Sequence, residues 1–205
     1  MRYDAKALGA ALLVLQRVPI PQIRAAAFAT IGCVAYWKWE HAVRSVEGGA
    51  LQLAEDLLQL RMHYDVVRIV AHSLGCRIYL EAIRRLGVVR TTTDHLPDEV
   101  HLLAPAFGEQ EYEGELGDAA RDACYIYYTS RDITLGHIYP IVSRGEAAVG
   151  YVGLAGHYAR THGLDVSEQF GIFVHTAYIR VLPELVNLLP TAPSDNPGFH
   201  GQSAD

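Results

Sequence analysis

Ala71-His72-Ser73-Leu74-Gly75 is the stretch that most restricts how this chain can fold. It follows Val66-Val67-Arg68-Ile69-Val70, a short β-branched run of the kind that forms a buried strand. It precedes Cys76 to Leu86, where Cys76, Tyr79, Leu80, Ile83 and Leu86 recur at helical spacing. A strand that gives way to a helix within so short a span needs a tight turn. Ala71 and Gly75 are therefore expected to be small because larger side chains would clash with neighbouring backbone. The turn lifts Ser73 Oγ above the sheet, beside a helix N-terminus that favours negative charge. An ordinary turn with a capping serine shares the pattern, so the serine gains meaning only if a histidine and a carboxylate follow.

The chain before the turn divides into three predicted elements. Asp4 to Arg17 reads as a helix with Asp4 as N-cap and Pro19 as the stop. Ala25 to Trp37 holds Phe28, Ile31, Val34, Tyr36 and Trp37 and reads as a buried strand, followed by a polar loop over Lys38 to Val46. A helix from about Glu47 to Met62 is expected to bury Leu51, Ala54, Leu58 and Met62.

After the turn, the helix ends at Gly87, whose missing Cβ suits a left-handed cap. Thr91 to Pro97 is a polar loop, and Glu99 to Leu103 a strand closed by Ala104-Pro105. The acidic stretch Glu109 to Asp118 reads as a solvated face leading through a helix to Arg121. Tyr125 to Thr129 is a strand followed at once by Ser130-Arg131-Asp132. Gly136 to Gly163 is glycine-rich and long for a connection, which marks it as functional. Leu164 to Val166 is a short last strand, Phe170 to His175 a loop, and Thr176 to Leu189 a closing helix. Pro190 to Asp205 has the composition of a disordered tail. The alternation predicts one α/β domain over residues 1–189, with a mainly parallel sheet and helices on both faces.

Composition narrows the partners. A net charge of -6 gives no electrostatic argument for nucleic acid or for anionic membranes. The ten histidines show neither His-Glu-x-x-His nor Cys-x-x-Cys spacing, so no metal or other cofactor is expected. Cys33, Cys76 and Cys124 are odd in number and sit in apolar elements, as reduced core cysteines of a cytoplasmic protein do. Arg2, Lys6 and the apolar Ala7 to Leu15 imitate a secretion signal, but Asp4, Gln16-Arg17, Pro19, Pro21 and Arg24 interrupt it. No apolar stretch reaches the ~20 residues a membrane span requires.

A serine hydroxyl becomes a nucleophile when a histidine accepts its proton and a carboxylate fixes that histidine's tautomer. Ser73, Asp132 and His175 occur in that order, each just past a predicted strand end or before the closing helix. In open parallel sheets, sites lie at the carboxyl ends of the strands. Asp165 is the rival acid, inside the last predicted strand; His137, His157 and His162 are the rival bases, His162 first among them. His72 is expected to point away from the serine and to pack or hydrogen-bond locally, and Tyr125 and Tyr127 to be β-formers rather than pocket residues.

The Ala-His-Ser-Leu-Gly elbow, the order Ser…Asp…His and the strand followed by Ser130-Arg131-Asp132 resemble the α/β-hydrolase superfamily. Among its members the chain is similar to lipase- and esterase-like serine hydrolases of a poorly characterised bacterial family, over roughly Tyr3 to Leu189. The resemblance implies carboxylic-ester hydrolysis through an acyl-enzyme, with Ser73 as nucleophile, His175 as general acid/base and Asp132 orienting it. It also implies that the Leu74 N–H, next after the nucleophile, is one oxyanion donor. Its substrate would be a small-molecule ester or acyl compound.

One part of the resemblance is missing. Members have an early strand and a His-Gly loop that supplies a second oxyanion donor, and neither precedes Asp4 here. The expectation is a true start upstream of Met1. A degenerate relative, or a minimal hydrolase recruiting a donor from Lys38 to His41, are the alternatives. A domain short of early strands leaves a sheet edge or a hydrophobic face uncovered, so the expectation is a homodimer or aggregation. Two other functions use the same features: a non-catalytic protein that binds an acyl ligand, and an acyltransferase or thioesterase built on the same triad.

Overall fold

The computed structural model describes residues 21–89, 93–170 and 175–186. The helix expected over Asp4 to Arg17, the Cys33 side chain and the tail from Pro190 lie outside the described residues.

The first element, α1 (Pro21–His63), is a single α-helix of 43 residues. It replaces the expected strand over Ala25 to Trp37 and the expected loop over Lys38 to Val46. Two features of the sequence account for the correction. Phe28, Ile31, Val34 and Trp37 are spaced by three, which suits a helix as well as their β-branched and aromatic character suits a strand. Five alanines between Ala25 and Ala35 then favour the helix, because alanine loses no side-chain entropy in it. The buried stripe of α1 is Val46, Ala50, Ala54 and Leu57; of the expected face Ala54 is buried and Leu58 half-buried against the core, while Leu51 and Met62 are exposed. A Cβ on Gly49 would stand 3.4 Å from the Ile78 side chain of the next helix, so the two helices meet where α1 is thinnest.

Four strands follow: β1 (Arg68–His72), β2 (Glu99–Leu103), β3 (Ala123–Tyr128) and β4 (Thr161–Asp165). They form one sheet in the order β1-β2-β3-β4, every pair parallel. The protein is therefore α/β with an all-parallel sheet, as the alternation of elements predicts. Strand β1 runs two residues later than expected. The Val67 N–H donates to Asp98 Oδ2 at 2.6 Å instead of entering the ladder. The helix after the turn, α2 (Leu74–Val89), includes Gly87, so the chain does not cap there in a left-handed conformation. Its expected face is correct: Cys76, Tyr79, Leu80, Ile83 and Leu86 are all buried.

Alternation along the strands divides the core between the two faces of the sheet. Val100, Leu102, Cys124 and Ile126 pack with α2 and the C-terminal half of α1. Leu103 and Tyr127 pack on the other side with Phe170 and with the last helix, α6 (Tyr178–Val186). The glycine-rich span after β3 is mostly structured. A π-helical turn (Thr134–Ile138) leads into α4 (Tyr139–Val142), and α5 (Val149–Val152) follows; α3 (Glu113–Gly117) lies earlier, in the acidic stretch. Cys76 and Cys124 are buried free thiols. Among the described residues no strand pairs with the outer edge of β1, and no helix is long and apolar enough to cross a membrane.

Helix α5 ties the loops after β2 and β3 together. The Gly150 N–H donates to the Pro105 carbonyl at 3.0 Å, and the Gly150 carbonyl accepts from Thr129 N–H at 3.1 Å. A Cβ on Gly150 would stand 2.5 Å from both Ala104 C and Pro105 N, where backbone has to move. At Gly75 the same test meets nothing within 4 Å, so the expected clash at that end of the turn is absent. Gly150→Ala is accordingly predicted to lose about 1–3 kcal/mol in urea unfolding. Gly75→Ala should stay within about 1 kcal/mol of the parent. Equal midpoints for the two variants would contradict this.

Candidate active site

The turn between β1 and α2 is one residue long. Ser73 alone separates His72 from Leu74, and its φ of 55° lies in the left-handed region. That conformation costs a non-glycine residue about 1–2 kcal/mol and has to be held from outside. Three backbone hydrogen bonds hold it. The Ser73 N–H donates to the Leu103 carbonyl at 2.9 Å, while the Ser73 carbonyl accepts from Cys76 N–H at 3.1 Å and Ala106 N–H at 3.3 Å. The end of β2 thus grips the turn from both sides, and the side chain is aimed past the strand ends.

Asp132 follows β3 in a short turn in which Thr129 Oγ1 accepts the Arg131 N–H at 3.1 Å. Its side chain is fully buried. One oxygen, Oδ1, accepts the Leu135 N–H at 3.1 Å, which leaves Oδ2 for a partner. That partner is His175: Nδ1 lies 2.7 Å from Asp132 Oδ2, and Nε2 lies 2.8 Å from Ser73 Oγ. Residues separated by 43 and 102 positions in sequence form one hydrogen-bonded chain. With Nδ1–H donating to the carboxylate, Nε2 carries the lone pair that accepts the hydrogen bond from Ser73 Oγ–H.

The rivals are elsewhere. Asp165 accepts the Ser167 N–H at 2.9 Å and is exposed, and His137, His157 and His162 are exposed as well. Tyr127 is buried with its hydroxyl 2.9 Å from His101 Nδ1, and Tyr125 stacks on the same imidazole, so both serve the sheet as expected. His72 differs from expectation. Its Nε2–H donates to the backbone carbonyl of His175 at 2.5 Å, across 103 positions, and the two rings lie 5.0 Å apart. It reaches the base instead of packing locally.

A cavity of about 520 Å³ opens beside Ser73 and Leu74. Trp37, Lys38, Trp39 and His41 of α1 form one wall, and Leu135, Ile138, Tyr139 and Val142 the other. Trp39 meets Tyr139 edge to face at 5.4 Å, which joins the walls. A strand and a loop over residues 25–46 would not form this aromatic wall. The three-residue spacing that ends at Trp37 was the available signal. Among the described residues no group of three or more His, Cys, Asp or Glu side chains is placed to hold a metal ion.

No protein-family model, curated protein or solved structure matches the chain.

Two histidines give the fold a pH dependence. Burial, aided by the neighbouring His175, holds His72 below its ordinary value of 6.5. Burial does the same to His101, although Glu99 pulls it back up in part. Below about pH 6.5 the unfolded chain therefore binds more protons than the native one. Stability from these groups is complete above that pH and falls as pH drops towards the native values. The urea midpoint is predicted to decline steadily from pH 7 to pH 5; a flat or rising midpoint would contradict it.

Proposed function

We propose that the chain is a serine hydrolase of the α/β-hydrolase type that cleaves carboxylic esters through an acyl-enzyme. The observation that carries this reading is the unbroken chain Ser73 Oγ–His175–Asp132, at 2.8 and 2.7 Å, beginning on a left-handed residue at a strand end. His175 Nε2 takes the serine proton as Oγ attacks the ester carbonyl carbon, and the carbonyl oxygen becomes an oxyanion. Asp132 stabilises the imidazolium that forms. The intermediate collapses, the C–O bond to the alcohol breaks, and His175 returns its proton to the leaving oxygen. A water deprotonated by His175 then attacks the acyl-serine, and the acid leaves with Ser73 Oγ reprotonated.

Leu74, the first residue of α2 and next after the nucleophile, lines the same cavity, which supports its N–H as one oxyanion donor. Lys38, Trp39 and His41 face the same cavity, which supports a further donor from that stretch of α1. The walls are chiefly aliphatic and aromatic, so the favoured substrate is an ester with an apolar acyl or alcohol portion.

The test is reaction with a fluorophosphonate probe together with turnover of a p-nitrophenyl ester series. Ser73→Ala is predicted to abolish labelling, and Ser73→Ala and His175→Ala to lower kcat by roughly 10⁴-fold or more. Labelling of Ser73→Ala equal to that of the parent would overturn the reading. Labelling-free binding of the esters with no turnover would instead identify an acyl-binding protein.

A further inference from the structure

His72 is a titratable side chain beside the relay that the proposed mechanism leaves unused. Its backbone is fixed by the sheet, where His72 is in register with Leu103 at the end of β2. Its ring lies 5.0 Å from that of His175 and 6.2 Å from that of Tyr178. A backbone carbonyl can only accept, so the 2.5 Å contact to the His175 oxygen requires the proton on Nε2 of His72.

The need for such a bond lies in how His175 is carried. The base precedes α6 and belongs to no strand or helix itself. Arg131 donates to the Phe170 carbonyl at 2.5 Å, five residues upstream, and Phe170 packs on Tyr178 at 4.6 Å, three residues downstream. Neither contact touches the peptide of the base. The hydrogen bond from His72 does. We infer that His72 is a positioning residue, whose Nε2–H holds the His175 main chain so that the imidazole reaches Ser73 and Asp132 together.

The surroundings favour the neutral donor. Burial and the adjacent His175 lower the pKa of His72, outweighing the opposite pull of the His175 carbonyl and Asp132, and the Tyr178 ring also faces it. A neutral ring can donate to the carbonyl without opposing the positive charge that His175 gains during the reaction. A permanently cationic side chain at this position could not.

The inference rests on the proposed hydrolase only for its kinetic readout, and the test has a second readout that does not. The full chain is compared with His72→Gln, whose amide N–H can reach the same carbonyl, and with His72→Ala. Turnover of p-nitrophenyl butyrate is measured beside the downfield proton NMR resonance of the Nδ1–H shared by His175 and Asp132. His72→Ala is expected to lose about ten- to a hundredfold in kcat, with KM within about twofold, and to lose the resonance. His72→Gln should keep the resonance and stay within about threefold of the parent in kcat. Should His72→Ala fail to fold, His72→Phe, which retains bulk without a donor, takes its place. Retention of kcat and resonance in the donorless variant would overturn the inference, as would a glutamine variant no better than alanine. If the parent shows no Ser73-dependent turnover, the resonance decides. Its loss in the alanine variant and survival in the glutamine variant would uphold the positioning role while the hydrolase reading fails.

Discussion

The left-handed backbone of Ser73 is the constraint on which the rest of the structure depends. One residue joins a strand to a helix, so the directions of β1 and α2 are fixed relative to each other by a single pair of dihedral angles. A φ of 55° is unfavourable for serine and would relax if unsupported. Support comes from Leu103 and Ala106, on either side of the β2 end, and so from the β1–β2 register. A slip of that register by one residue would invert every side chain on β1 and release the turn. The strain is tolerable because the parallel sheet makes that slip costly.

The opposite ends of the same strands are pinned by Asp98. Its carboxylate accepts the Val67 N–H at 2.6 Å and pairs with Arg61 at 2.9 Å and with Arg121. Its backbone carbonyl accepts from Asp122 and Ala123 at the start of β3. One buried residue thus joins the end of α1, the approach to β1, and the beginnings of β2 and β3. Burial alone would raise its pKa. The Val67 N–H and the two guanidinium groups outweigh that and hold the carboxyl below its ordinary range. The register is therefore clamped at both poles, by a charge at the amino ends and by backbone at the carboxyl ends.

Much of this was legible in the residues. Strand β2 was readable to the residue, because Glu99 to Leu103 is bounded by a polar loop on one side and Ala104-Pro105 on the other. Ser73, Asp132 and His175 could be singled out because each follows or precedes an element with a clear period, and the structure brings the three into one chain. What stayed hidden has a common cause. Over residues 25–37 the three-residue spacing suits a helix while the β-branched and aromatic character suits a strand, and the alanines decide for the helix. The cavity depends on α1 being helical, since its aromatic wall comes from Trp37 and Trp39. The reach of His72 is hidden for a different reason. Its partner is a backbone carbonyl, which leaves no trace in side-chain pattern.

Because α1 is a helix, its side chains help to enclose the site. A relay at a strand end acts with most force where its surroundings exclude water, because hydrogen bonds and charges are screened less there. Here that enclosure is not an appendage. The π-helical turn that supplies Leu135 and Ile138, and leads into α4 with Tyr139, begins two residues after Asp132. Its first N–H groups bond to that residue: Leu135 N–H to Oδ1 at 3.1 Å and Gly136 N–H to the carbonyl at 2.8 Å. The acid and one wall of the cavity are thus a single rigid piece, joined through the Trp39–Tyr139 contact to the other wall on α1. Asp132 Oδ2 in turn meets His175 Nδ1 at 2.7 Å, so hydrogen bonds link that wall, Asp132 and His175 in sequence. Under the proposed reading, the wall that meets an apolar ester is therefore the one that carries the acid.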